Sequence, residues 1–66
     1  MQMNEIENII INANVEAAKC RHRNEPMRWG LYRKYSHKLD DELDYIDADQ
    51  CQRDIAHRKL AQALGL

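Results

Sequence analysis

Apolar residues recur along this chain at alternating three- and four-residue steps, the spacing that lines one face of an α-helix. In the first segment Met3, Ile6, Ile10, Ala13, Ala17 and Cys20 keep that rhythm without a break. A second stripe, Ile11, Val15, Ala18 and His22, runs beside it at four-, three- and four-residue steps. A helix apolar on two adjacent faces is expected to pack against two neighbours. Both are read as helices of the same chain, with a second chain as the alternative occupant. Ile10, Ile11 and Val15 are the residues an oligomer would use as its seam.

Asn24-Glu25-Pro26 closes the first helix and opens the next, because proline suits a first helical turn and disfavours helix in the residue before it. A link this short folds the two helices back as an antiparallel hairpin. Over residues 27–46, Tyr32, Tyr35, Leu39, Leu43 and Ile46 share a face, with Leu31 at its edge. Gly30 destabilises a helix interior by about 1 kcal/mol relative to alanine, so the regular helix is predicted to begin after it. Carried past Ile46, the seam would land on Asp49 or Gln50 and then Arg53, which breaks the phase and argues against one long second arm. Asp47-Ala48-Asp49-Gln50 reads as a capping box with Asp47 at the N-cap and Gln50 at N3, flanked by Ile46 and Cys51 as a hydrophobic staple. The third helix is predicted to bury Cys51, Ile55, Ala56, Leu60, Ala63 and Leu64 and to stop at Gly65. The expected fold is all-α: a small three-helix bundle, built as an antiparallel hairpin plus a third helix, in a single helical domain spanning 1–66.

Composition makes that bundle a thin one. The chain has 66 residues with no Phe and one Trp, and at this size a single core yields little net stability. Stabilisation by a partner, or a homodimer, is therefore expected.

Charge changes the picture more. The net charge is −1, yet the charges are sorted by segment. Lys19, Arg21, Arg23, Arg28, Arg33, Lys34 and Lys38 stand against Glu25 alone, and Asp40, Asp41, Glu42, Asp44, Asp47, Asp49 and Asp54 against Arg53 alone. Folding the hairpin brings like charges together. The predicted basic pole, a partner-binding surface, comprises Arg21, Arg23, Arg28, Trp29, Arg33, Lys34 and Lys38. The predicted acidic pole comprises Asp40, Asp41, Asp44, Asp47 and Asp49, and little neutralisation is expected within the monomer. The second helix also opposes its own macrodipole, with cations early and anions late. Arg28-Trp29-Gly30-Leu31-Tyr32-Arg33-Lys34-Tyr35 interleaves cations with rings, a pattern suited to single-stranded nucleic acid or to a mixed apolar and acidic protein patch. Helical spacing assigns Tyr32 and Tyr35 to the core and leaves Trp29 at the mouth of the loop.

Candidate chemistry is sparse. Cys20 and His22 diverge on a helix and no second ligand pair completes a tetrahedral site, so neither a metal nor a cofactor is expected. Ser36 and His37 are adjacent on a helix and do not face each other. Three short helices offer little cleft for catalysis, and an enzyme is not expected. The longest apolar run, Ile9-Ile10-Ile11, is far short of the roughly 20 residues of a membrane span. Two cysteines without a leader suggest reduced thiols and a cytoplasmic location. Residues 57–66 are similar to the first helix and turn of a helix-turn-helix repressor, without the helix that reads DNA, and so imply no function.

Two functions follow as expectations. The first is a small non-enzymatic interaction protein, an adaptor or inhibitor of the type phages and mobile elements encode. It would bind and modulate a larger protein through the charged poles and an apolar helix face. The alternative is nucleic-acid binding through the basic and aromatic segment 19–38, against which the acidic half and the near-neutral charge both weigh.

Overall fold

The computed structural model describes residues 2–19 and 25–66, with side chains from Glu5 onward. It contains α1 (Gln2–Lys19), α2 (Glu25–Tyr45) and α3 (Gln50–Ala63). Each helix packs on the other two, giving an elongated three-helix bundle of 35 × 19 × 15 Å.

The predicted seams meet along the bundle axis. Ile6 and Ala13 of α1, Leu31, Tyr35, Leu39 and Leu43 of α2, Ala48 of the second loop, and Ala56, Leu60 and Leu64 from the α3 segment are all buried. Ile9, Ile10, Ala17, Tyr32 and Ile46 pack around them, half-buried. Leu39, Leu43 and Leu60 are the largest side chains fully removed from water. Burying each contributes about 2 kcal/mol relative to leaving it in water. Leu31, expected at the edge of the α2 face, lies in the core, and Tyr32 is the half-buried residue.

Helix α2 begins at Glu25 and runs through Gly30, earlier than predicted. Pro26 in its first turn presets helical geometry and Glu25 complements the positive end of the helix. Together with burial of Leu31, these outweigh the weak propensity of one glycine.

The α2–α3 junction is the larger correction. Asp47 is not an N-cap: it is the left-handed residue that ends α2, at φ 54°. The amide of Ala48 donates to the Leu43 carbonyl at 2.9 Å and that of Asp47 to the Asp44 carbonyl at 3.1 Å, the paired bonds of a Schellman motif. Ala48, the residue beyond the turn, is buried in the core that holds Leu43. The capping box is displaced by two residues. The Asp49 carboxylate accepts from the Gln52 amide at 2.8 Å, and the Gln52 side-chain carbonyl accepts from the Asp49 amide at 3.1 Å. Both Asp47-x-x-Gln50 and Asp49-x-x-Gln52 fit the box in sequence. Only the second leaves Asp47 and Ala48 free to end α2.

The face of α3 turned to the core is the Ala56, Leu60 and Leu64 stripe, as predicted, and Cys51 and Ile55 lie off it. Cys51 is exposed instead of forming a staple, and Ile55 is 47% exposed instead of buried. In place of the staple, Arg53 ties the junction: its Nε donates to the Ala48 carbonyl at 3.1 Å and its Nη1 pairs with Asp44 at 2.8 Å. Gly65 ends α3 as predicted, at φ 76°, with a second Schellman pair from Gly65 and Leu66 to the carbonyls of Gln62 and Ala61.

Candidate interaction surfaces

Three surfaces of this bundle could meet a partner: its two ends and the outer side of α1. The basic end is assembled from the start of α2 and the end of the α3 segment. Arg28 is half-buried and reaches across the bundle, its Nη1 donating to the Gly65 carbonyl at 3.4 Å, where a cation is favoured by the negative end of α3. Trp29 is 47% exposed and stands edge-on to Tyr32 with ring centroids 5.6 Å apart. With Glu25, Arg28, Ala61, Gly65 and Leu66 it borders an open cleft. Arg33, Lys34 and Lys38 are exposed on α2. Arg21 and Arg23, the remaining residues assigned to this pole, lie outside the described residues.

Neutralisation is greater than the segment charges suggested. Lys34 pairs with Glu16 of α1 at 3.2 Å, and the phenol of Tyr35 donates to the same carboxylate. The Tyr35 hydrogen bond, then the Lys34 ammonium, hold the Glu16 carboxyl below its ordinary range. The same bond, reinforced by burial, pushes the Tyr35 phenol up. Lys34 and Lys38 also each lie 5.4 Å from the centre of the Tyr35 ring, a cation–π distance. Of the rings in the basic stretch, Tyr35 is therefore committed to α1 and Tyr32 to α3. Trp29 is the ring that remains substantially open to solvent.

The acidic end gathers Asp41, Asp44, Asp47 and Asp49, all exposed, with Asp40 half-buried. Asp44 and Asp49 have structural duties as well, in the Arg53 pair and the α3 cap. Asp40 belongs to a chain that sequence reasoning missed. Its Oδ1 lies 2.7 Å from Nε2 of His57, whose Nδ1 is 3.2 Å from the Tyr32 hydroxyl. Asp40, His57 and Tyr32 fasten α2 to α3 beside an open cleft bordered by Arg53, Asp54 and Arg58. No motif could have revealed it: Asp40 and His57 are 17 residues apart and meet only because α3 folds back against α2.

The outer side of α1 divides the predicted oligomer seam. Ile10 is half-buried and packs on the core, whereas Ile11 is 55% and Val15 47% exposed. Both are two residues from Ala13, which is fully buried, and two helical residues turn a side chain through about 200°. Their stripe therefore faces away from α2 and α3, contrary to the expectation that both faces of α1 meet helices of its own chain. Ala18 continues it, exposed, and His22 lies outside the described residues. A separate apolar groove of ≈ 120 Å³ runs between α1 and α3, lined by Ile6, Ile10, Leu43, Ile46, Ile55 and Ala56.

Among the described residues, no three His, Cys, Asp or Glu gather as metal ligands, and no helix is long and apolar enough to cross a membrane. The fold defines the chain as a small all-α three-helix bundle. Compared with protein-family models, curated proteins and solved structures, it matches none.

Proposed function

We propose that this chain is a small cytoplasmic interaction protein that acts by binding and modulating a larger protein, without catalysis. It would be an adaptor or inhibitor of the type phages and mobile elements encode. The observation that supports this most is the pairing of charge-separated ends with the exposed Ile11 and Val15 stripe, on a bundle whose own core does not use that stripe. Opposed poles orient an approaching partner, while an apolar patch supplies the burial that holds it.

Nucleic acid is the second reading, favoured by Trp29 standing open between Arg28 and Arg33. Two observations weigh against it. Tyr32 and Tyr35 are engaged within the bundle and offer no further stacking surface, and Arg28 and Lys34 already have partners.

Light scattering coupled to size-exclusion chromatography, at low and high salt and with a short mixed-sequence oligonucleotide, separates the two. The protein-partner reading expects a mass that ignores the oligonucleotide at both salts. A complex formed at low salt, lost at high salt and weakened by Arg33→Ala would make nucleic acid the partner.

A further inference from the structure

The Ile11 and Val15 stripe has a shape and charge that fit one occupant in particular. We propose that a second copy of this chain docks on it, with the two α1 helices antiparallel about a two-fold axis level with Ala13. This rests on the reading of the chain as an interaction protein and names the partner of the α1 face.

The outward positions Asn8, Ile11, Val15 and Ala18 follow one another at three-, four- and three-residue steps, the seam spacing of paired helices. The seam is also symmetric about Ala13. A two-fold interface requires one patch to complement itself, and here antiparallel pairing sets Ile11 over the partner's Val15 and Asn8 over the partner's Ala18. Large apolar residues occupy the centre and small or polar ones the ends.

Charge selects the direction. Glu5 stands in the first turn of α1 and Lys19 in its last. They lie on the same flank of the stripe, so antiparallel pairing brings each Glu5 beside the partner's Lys19. Parallel pairing would leave Glu5 and Lys19 at opposite ends of the seam and form no such pair. The antiparallel arrangement also aligns the helix macrodipoles favourably. On the scale of the whole bundle, it places the basic end of each protomer beside the acidic end of its partner.

With two large aliphatic residues per protomer, the interface belongs to the small, reversible class. Sedimentation equilibrium of the full chain from micromolar to millimolar concentration should therefore show a monomer passing to a dimer. Ile11→Asn should raise the dissociation constant about tenfold or more. Helical circular dichroism should be unchanged, because Ile11 is outside the monomer core. Lys19→Glu should weaken the dimer, and adding Glu5→Lys should restore it. A wild-type chain monomeric throughout overturns the proposal and leaves the stripe to a different protein, while the broader binding role is judged separately by the oligonucleotide experiment. A dimer that persists unchanged in Ile11→Asn and Val15→Asn also overturns it, and one indifferent to Lys19→Glu overturns the antiparallel direction.

Discussion

Single residues at the α2–α3 junction decide where one helix stops and the next starts. Asp47 adopts a left-handed conformation at φ 54°, which disfavours a side chain with a Cβ and suits glycine. Asp47→Gly should therefore stabilise the bundle by about 0.5–1 kcal/mol. Asp49→Ala, which removes the true N-cap, should destabilise it by about 1 kcal/mol. Urea unfolding of the two variants reads both effects. The opposite ranking, with Asp47 as the sensitive position, would mean that the helix starts two residues earlier. The chain contains both candidate boxes. What sequence reasoning lacked was the tertiary role of Ala48, whose burial with Leu43 draws Asp47 into the turn.

At the scale of elements, the reach of α2 is set by packing more than by propensity. Gly30 is exposed within it, and a methyl group added there would meet nothing within 4 Å beyond its chain neighbours and the local helix backbone. Gly30→Ala should stabilise the fold by about 1 kcal/mol, visible as a higher urea midpoint with an unchanged slope. An unstable variant would mean that the helix is broken at this position. Periodicity made the three helices, the antiparallel hairpin and the Gly65 stop legible, because each depends on local spacing or on one residue type. The outward turn of Cys51 and Ile55 was not legible. Ala56, Leu60 and Leu64 set the buried stripe at four-residue steps, and Cys51 and Ile55 lie about 180° and about 140° round the axis from Leu60, so the face that is buried is fixed by the helices that α3 meets.

Across the whole molecule, the bond between Glu16 and Tyr35 ties α1 to α2 and gives stability a pH dependence at both extremes. Tyr35, then Lys34, lower the Glu16 pKa, so the folded chain takes up that proton less readily than the unfolded one. The contribution is present above the ordinary value of 4.5 and is lost as pH falls through the lowered one. For Tyr35 the shift is upward, mainly through the same hydrogen bond. Its contribution is present below the ordinary value of 10.0 and is lost as pH rises through the raised one. Melting temperatures followed from pH 3 to 11 should fall at both ends, and Tyr35→Phe should flatten both slopes. A Tyr35→Phe profile that parallels the wild type would show that other groups set the dependence.

The sequence by itself determined that this chain is helical, which residues form most of the core and that its charge is sorted by segment. These properties follow from i, i+3 and i+4 spacing, from proline and glycine, and from the order of residues along the chain. Only the tertiary structure decided that Ile10 packs inward while Ile11 and Val15 face out. It alone joined Asp40 to His57 and Glu16 to Tyr35, and it moved the α3 cap from Asp47 to Asp49. The physical reason is common to all of these: each depends on which side of a helix a neighbouring helix occupies, and one helix's own spacing cannot specify where its neighbours lie.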